Sequence, residues 1–99
     1  MKINSQKLYQ LLEEIPKGKV TTYKELAQKL KTKSYRGVGQ IVGANLNAPK
    51  IPCHRVVKSD GSIGGYAFGV KKKIEILQKE GIKIAGDKII DFEKKLHKF

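Results

Sequence analysis

The short turn between two predicted helices constrains the fold of this chain more than any other feature of its sequence. A capping box begins at Thr22, with Glu25 three positions later, and opens one helix. Ser34 is a favourable N-cap for the next helix, which is predicted over residues 34–45. Residues 31–33 form the whole connection, so the two helices must pack closely. In a basic domain this arrangement favours a helix-turn-helix, although the turn lacks the glycine that is common there.

Hydrophobic periodicity and breaker residues predict the other elements, which are short. They are a helix over residues 5–14, an extended piece at 20–21, a strand over 55–58, a turn at 58–61, a glycine-rich loop at 64–69, a helix over 70–80 capped by Gly81, a hairpin of 82–84 and 88–90, and a basic helix or frayed tail over 91–99. The sequence contains no internal repeat and no linker. We therefore predict one domain over residues 1–99, mainly α-helical with short β elements.

Charge indicates the class of partner. The chain has 21 basic and 9 acidic residues among 99, a net charge of +12, which favours nucleic acid. A lysine-rich solubilising surface is the alternative. Only Arg36 and Arg55 are arginines, and arginine makes the directed phosphate contacts, so these two positions are of most interest.

A reducing, intracellular setting is predicted from the single cysteine, which allows no internal disulfide. No apolar run approaches the roughly 20 residues that span a bilayer, and the amino terminus lacks the apolar stretch of a signal peptide. We expect a protein without membrane contact, cytoplasmic or, in a eukaryote, nuclear.

The third predicted helix is unusually rich in glycine. Gly39 and Gly43 share a face with Arg36, and Gly37 lies nearby. Each glycine costs a helix roughly 1 kcal/mol relative to alanine, so a compensating gain is expected. Close approach of the backbone to a partner and tight packing between helices explain these residues equally well.

Cys53 and His54 are the candidate catalytic residues, in the run IPCHRVV at residues 51–57. Glu80 lies near the apolar face of the fourth helix and needs a partner there. A constellation follows in which Glu80 orients His54 and His54 promotes the Cys53 thiolate. It requires a turn-like backbone or a bridging water, because neighbours in a strand face opposite sides. A buried structural cysteine and a solvated helix-end glutamate are the alternatives.

These residues resemble the O6-alkylguanine-DNA alkyltransferases. The run IPCHRVV, GGY at residues 64–66, YRGVG at 35–39 and IPKGKVTTY at 15–23 carry the resemblance, which covers about residues 5–81. Arg36 lies 17 positions before Cys53, and Glu80 lies 27 after it. The resemblance implies the catalytic domain of this family, a winged-helix-like helix-turn-helix fold.

The resemblance also implies a role for each matching residue. Cys53 would take the alkyl group from O6 of guanine once and irreversibly. His54 would receive the thiol proton through water with Glu80 behind it, Tyr23 would protonate guanine at N3, and Asn45 would brace the turn that carries the cysteine. Arg36 would fill the gap left by the flipped nucleotide. Contacts to DNA are implied for Tyr23, Lys24, Ser34, Arg36, Gly39, Gln40, Gly43 and Ser59, and the guanine pocket for Cys53, Val56, Tyr66, Ala67 and Phe68.

The implied partner is double-stranded DNA containing O6-alkylguanine, bound in the minor groove by a monomer that uses no metal or cofactor. We expect a minimal version of the family, without the amino-terminal domain that many relatives carry, and Gly37 stands where alanine is more usual in the family. Phe68 is expected to narrow the pocket in favour of methyl over larger groups. Residues 82–99 receive no functional assignment. The alternatives are an alkyltransferase-like protein, a group in which the reactive cysteine is replaced and lesions are bound without chemistry, a helix-turn-helix regulator, and a thiol hydrolase.

Overall fold

The computed structural model of the chain describes residues 3–43, 52–66 and 68–99. Within these ranges the helices are α1 (Ser5–Glu14), α2 (Tyr23–Lys29), α3 (Tyr35–Gly43), a 3-10 helix (Cys53–Arg55), α4 (Val70–Lys79) and α5 (Phe92–Lys95). The strands are β1 (Thr21–Thr22), β2 (Val56–Val57), β3 (Ile84–Ala85) and β4 (Lys88–Ile89). The predicted mainly α fold with short strands is confirmed, and the bounds of α1 are those predicted.

The helix-turn-helix closes without glycine because Lys31 adopts the left-handed conformation, with φ of 59°. The Lys31 amide donates to the Gln28 carbonyl at 3.1 Å, and the Thr32 amide donates to the Ala27 carbonyl at 3.0 Å. This is the Schellman pattern that a glycine usually completes. Side-chain caps then start both helices as predicted: Thr22 accepts from the Glu25 amide at 3.0 Å, and Ser34 accepts from the Gly37 amide at 3.1 Å.

A parallel strand pair connects the helix-turn-helix to the cysteine segment. Thr21 pairs with Val56 and Thr22 with Val57. β1 runs directly into α2, and β2 directly follows the 3-10 helix, so the strand pair joins the start of α2 to the segment that contains Cys53. Two apolar clusters flank the pair, one formed by α1–α3 with Val56 and the other by Val57 with residues of α4 and the hairpin.

The strand predicted over residues 55–58 is shorter in the structure. Arg55 belongs to the 3-10 helix, so β2 contains only Val56 and Val57. The predicted turn at residues 58–61 is present, closed by the Gly61 amide on the Lys58 carbonyl at 2.9 Å.

Helix α4 ends in a second Schellman pattern, in which Gly81 has φ of 93°. The Gly81 amide donates to the Gln78 carbonyl and the Ile82 amide to the Leu77 carbonyl. Glu80 is thereby the C-cap residue, one position beyond the helix, and its backbone is fixed. The predicted hairpin forms from β3 and β4 in antiparallel register.

The tail is a short helix, α5, followed by an extended segment that adds to the edge of β1. Leu96 bridges Val20 in parallel, the Val20 amide donates to the Lys95 carbonyl at 2.9 Å, and the His97 amide donates to the Val20 carbonyl at 2.6 Å. No helix in the described ranges combines the length and apolar character needed to cross a membrane.

Candidate active site

Cys53 opens the 3-10 helix directly after Pro52 and is buried, with 2% of its surface exposed. The Arg55 amide donates to the Pro52 carbonyl at 3.1 Å, which closes this turn. The turn-like backbone that the constellation of Cys53 and His54 requires is therefore present.

A cavity of about 230 Å³ lies in front of Cys53. The described residues that line it are Tyr23, Gly39, Val42, Gly43, Cys53, Gly65 and Tyr66. The structure thus brings together residues of three predicted sets: the nucleophile, the glycine face of α3 and the glycine-rich loop.

Two residues that the sequence assigns to the guanine pocket, Val56 and Phe68, are described by the structure and do not line this cavity. Val56 is fully buried in the core behind it. Phe68 is 51% exposed and packs edge-on against Tyr66, with ring centroids 5.6 Å apart. Asn45 and Ala67 lie outside the described residues.

Behind Cys53, the carboxylate of Glu80 holds two side chains of the 3-10 helix. His54 Nε2 lies 3.1 Å from Glu80 Oε2. Arg55 donates from Nε to Oε1 at 2.9 Å and from Nη2 to Oε2 at 2.6 Å, and its Nη1 donates to the Ile15 carbonyl at 2.8 Å. Arg55, one of the two arginines considered for phosphate contacts, is instead used inside the protein. The predicted pairing of Glu80 with His54 is present, with Arg55 as an additional partner.

The imidazole of His54 is suited to accept a proton. Burial lowers its pKa below the ordinary value despite the opposing effect of Glu80, so the ring is neutral at pH 7. With Nε2 donating to Glu80, Nδ1 carries the lone pair. Nδ1 is buried, and no group in the described part of the chain hydrogen-bonds to it.

Tyr23 and Tyr66 are held in their protonated form. Burial raises the pKa of each phenol, and the charge of Cys53 raises it further. Both hydroxyls remain donors across the neutral range, and both residues line the cavity.

Lys73 is the site-associated residue that sequence reasoning missed. Its side chain is fully buried, and Nζ donates to the carbonyls of Val56 at 2.6 Å, Ile63 at 2.5 Å and Gly65 at 3.0 Å. The signal was available, because Lys73 precedes the buried Leu77 by four positions and so shares the apolar face of α4.

A second groove of about 250 Å³ adjoins the cavity through Tyr23. Its lining is Tyr23, Lys24, Tyr35, Lys58 and Ser59. The other residues expected to contact DNA, Ser34, Arg36 and Gln40, are exposed on the turn and on α3. Basic and polar side chains therefore line the groove that shares Tyr23 with the cysteine cavity.

The glycines of α3 fall into two groups. A Cβ on Gly37 would lie 2.8 Å from both Ile3 Cδ1 and Ser34 Oγ, so this position is closely packed. A Cβ on Gly39 would meet the Tyr23 ring only at 3.9 Å, and one on Gly43 would meet no described atom within 4 Å. Close packing against Ile3, which precedes α1, and against the Ser34 cap of the same helix explains Gly37, whereas Gly39 and Gly43 leave the helix bare where it faces the cavity.

Comparison with known proteins gives a family match over most of the chain. Residues 4–82 match the family model described as 6-O-methylguanine DNA methyltransferase, DNA binding domain. The chain belongs to this methyltransferase family. A methylated-DNA–protein-cysteine methyltransferase of Candida glabrata is 46% identical over 77 residues, which cover 77% of this chain and 37% of the yeast protein.

Two solved structures are similar in fold to this chain. The O6-methylguanine-DNA methyltransferase of Pyrococcus kodakaraensis has a TM-score of 0.73 at 40% identity. The match covers 79% of this chain and 46% of the Pyrococcus chain. Schizosaccharomyces pombe Atl1, in complex with damaged DNA containing O6-carboxymethylguanine, has a TM-score of 0.85 at 29% identity and covers 99% of both chains. The chain thus spans less than half of these two methyltransferases and matches Atl1 over its whole length.

Proposed function

We propose that this protein repairs DNA by moving an alkyl group from O6 of guanine to Cys53 in one irreversible turnover. The observation that carries the proposal is the position of Cys53, at the base of a cavity and beside a neutral His54 anchored by Glu80. That arrangement is typical of an activated thiol nucleophile.

The chemistry balances with the groups present. His54 Nδ1 accepts the thiol proton through a water, and the carboxylate of Glu80 stabilises the imidazolium. The Cys53 sulfur attacks the alkyl carbon, a carbon–sulfur bond forms, and the bond from that carbon to O6 breaks. The electron pair remains on guanine, which takes the phenolic proton of Tyr23 at N3, and the phenol regains a proton from the imidazolium through solvent.

The substrate in this proposal is double-stranded DNA with the alkylated nucleotide turned into the cavity. Arg36 is exposed at the start of α3, and in this proposal it fills the gap left in the base stack. The bare face at Gly39 and Gly43 lets the helix approach the minor groove closely. The net charge of +12 makes phosphate contacts the main source of affinity, so binding falls steeply with salt. The protein works as a monomer where the DNA is, in the cytoplasm or nucleus.

Lesion binding without chemistry is the second candidate, favoured by one observation. Atl1, whose solved complex contains O6-carboxymethylguanine, matches this chain along 99% of its length, whereas the Pyrococcus methyltransferase covers 79%. Alkyl transfer requires the thiol of Cys53 in the cavity, whereas lesion binding does not, so the presence of this cysteine favours alkyl transfer.

One experiment distinguishes the two functions. The protein is incubated with a duplex containing a single O6-methylguanine, and its intact mass is recorded beside that of Cys53→Ala. Alkyl transfer adds one CH2 unit to the native protein, located at Cys53 by peptide mapping, and nothing to the variant. An unchanged mass, with tighter binding to the lesion duplex than to an unmodified one, would establish the lesion-binding function instead.

A further inference from the structure

The second groove combines aromatic rings with positive charge. It is lined by Tyr23, Lys24, Tyr35, Lys58 and Ser59. Tyr35 is among the most exposed large apolar residues that the structure describes, with 49% of its surface open to solvent. Its ring makes no contact with the ring of Tyr23 in the described ranges, so the groove is open to a third ring. The proposed alkyl transfer gives Tyr35 no role.

Two separate elements fix the aromatic ring and the cation of this groove. Tyr35 begins α3, directly after the Ser34 cap. Lys58 opens the turn after β2, where its amide donates to the Ser62 carbonyl at 2.9 Å and its carbonyl accepts from the Gly61 amide at 2.9 Å. The groove therefore has a defined shape before any ligand enters it.

The charged side chains that line the groove are all lysines, so the groove favours an anion. Asp60 directly follows Ser59, but its carboxylate accepts hydrogen bonds from the amide and the hydroxyl of Ser62 and is used within the turn. The net charge of +12 acts in the same direction. A nucleobase joined to its phosphate is a flat ring that brings a negative charge with it, and it matches both properties of the groove.

The groove and the cysteine cavity meet at Tyr23, which lines both. The Tyr23 hydroxyl lies 3.7 Å from the position of a Cβ on Gly64, and Cγ of Lys58 lies 3.5 Å from the same point. A tyrosine of the cavity and a lysine of the groove thus converge on one residue of the glycine-rich loop. Because a single phosphate joins neighbouring nucleotides, a nucleotide in the cavity brings its neighbour to the groove.

We propose that this groove binds one unpaired nucleobase of the lesion-bearing strand, stacked on the ring of Tyr35 with its phosphate at Lys58. The position beside the lesion rests on the proposed function, whereas the binding of an unpaired base rests on the groove alone. Bases inside a duplex are covered by their neighbours, so the site is filled by a base at a gap, at a strand end or in a single strand. Every base has a flat face, so the site adds affinity without sequence preference.

The base site is tested by fluorescence anisotropy with a single-stranded oligothymidylate and with a fully paired duplex of the same length. Tyr35→Ala should weaken binding of the single strand roughly tenfold and binding of the duplex much less. Tyr35→Phe keeps the ring without its hydroxyl and should bind both ligands as the native protein does. Ile90→Ala, which shortens another exposed apolar side chain outside the groove, is the matched control and should also bind like the native protein.

Three results would overturn the base site. The first is native affinity of Tyr35→Ala for the single strand. The second is an equal loss on the duplex, which would assign the ring to the sugar–phosphate backbone. The third is an equal loss in Tyr35→Phe, which would assign the effect to the hydroxyl. Tyr35→Leu, which keeps apolar bulk without a flat ring, replaces Tyr35→Ala if that variant does not fold, and the same criteria apply to it.

Salt dependence separates the phosphate from the base. Lys58→Gln should reduce the slope of log affinity against log salt on the single strand by about 0.7, the value for one lost phosphate contact. Tyr35→Ala should leave the slope unchanged, because stacking releases no counter-ions. An unchanged slope in Lys58→Gln would contradict the position given to the phosphate.

The position beside the lesion is tested in Cys53→Ala, which has no thiol to alkylate. The ligand is a single strand with one O6-methylguanine and an abasic site on either side of it in turn. Loss of the base on one side should weaken binding roughly tenfold, and adding Tyr35→Ala should abolish this difference. An undiminished difference overturns the position beside the lesion. Absence of any preference for O6-methylguanine over guanine contradicts the proposed function instead, and the oligothymidylate comparison still decides the base site.

Discussion

Arg55 grips the carboxylate of Glu80 with two parallel hydrogen bonds, of 2.9 Å from Nε and 2.6 Å from Nη2. This fork fixes the carboxylate in the orientation in which Oε2 also meets His54. The side chain of Glu80 is 8% exposed and that of Arg55 is 15% exposed, so the pair lies largely out of water. Orientation of the histidine therefore depends on an arginine that does not itself face the cavity.

Glu80→Gln should destabilise the protein strongly, because it leaves the charge of Arg55 buried without a counter-ion. We expect a loss of about 3 kcal/mol in the free energy of unfolding, measured by urea denaturation. Glu75→Gln, at an exposed position of α4, is the matched control and should change stability little. Equal effects of the two substitutions would show that the hydrogen bonds between Arg55 and Glu80 contribute nothing to the free energy of unfolding.

Acidification should lower the free energy of unfolding in two stages over two pH ranges, the first due to His54 and the second to Glu80. His54→Gln should distinguish the two. Burial lowers the pKa of His54, so the unfolded state binds the extra proton and stability falls as the pH drops below the ordinary histidine value of about 6.5. Although burial would raise the pKa of Glu80, hydrogen bonds from Arg55 and His54 hold it below its usual range, so its contribution is lost only at lower pH.

In His54→Gln the first of these stages should disappear while the second remains. Free energies of unfolding, measured from pH 8 to well below the ordinary glutamate pKa of about 4.3, cover both stages. His97→Gln, which replaces the other histidine of the chain, should retain the first stage. A native-like pH profile for His54→Gln would assign the acid sensitivity to other groups.

Tyr23→Phe should slow alkyl transfer without weakening the fold, because only the hydroxyl that protonates guanine is removed. Loss of one general acid predicts a rate reduction of about 10²-fold under single-turnover conditions. Tyr9→Phe on α1, a half-buried tyrosine outside the cavity, serves as control and should react at the native rate. An unchanged rate for Tyr23→Phe would remove the tyrosine from the mechanism.

Gly39→Ala should make the protein more stable and a weaker DNA binder. The added methyl meets only the Tyr23 ring, at 3.9 Å, so the helix gains about 1 kcal/mol in propensity. The same methyl protrudes from the bare face of α3, and we expect the dissociation constant for duplex DNA to rise roughly tenfold. Thermal unfolding and fluorescence anisotropy measure the two effects.

Gly37→Ala is the counterpart, since its methyl would press on Ile3 and on the Ser34 cap at 2.8 Å. It should gain no stability and leave DNA binding close to native. Stabilisation by Gly37→Ala equal to that by Gly39→Ala would contradict the packing described for α3.

Local signals in the sequence were sufficient to predict most of the elements. Thr22 and Ser34 carry their own capping information, and Gly81 ends α4 through a conformation that favours glycine. Lys31 is the exception, because a left-handed lysine has no local signature and is imposed by the packing of α2 against α3. Its backbone conformation could be learned only from the fold.

For the site, the position of Glu80 near the apolar face of the fourth helix predicted its pairing with His54. It did not predict the other contacts of the two residues. The partners of Arg55 lie 25 and 40 positions away, and no periodicity connects them. Lys73 was overlooked because its partners are backbone carbonyls, which every residue has. The preference for methyl groups assigned to Phe68 remains a prediction, now with Phe68 packed on Tyr66 outside the described cavity wall.

The bridge between Val20 and Leu96 shows that the folded domain extends beyond the segment that the family model matches. The family model matches the chain only as far as residue 82, yet the hydrogen bonds along the edge of β1 are completed by residues 95–97. A fragment cut where the family match stops would leave that edge open immediately before the strand that leads to Tyr23. For this protein the segment that the family model matches is shorter than the segment that folds together, and expression or fusion experiments should include the tail.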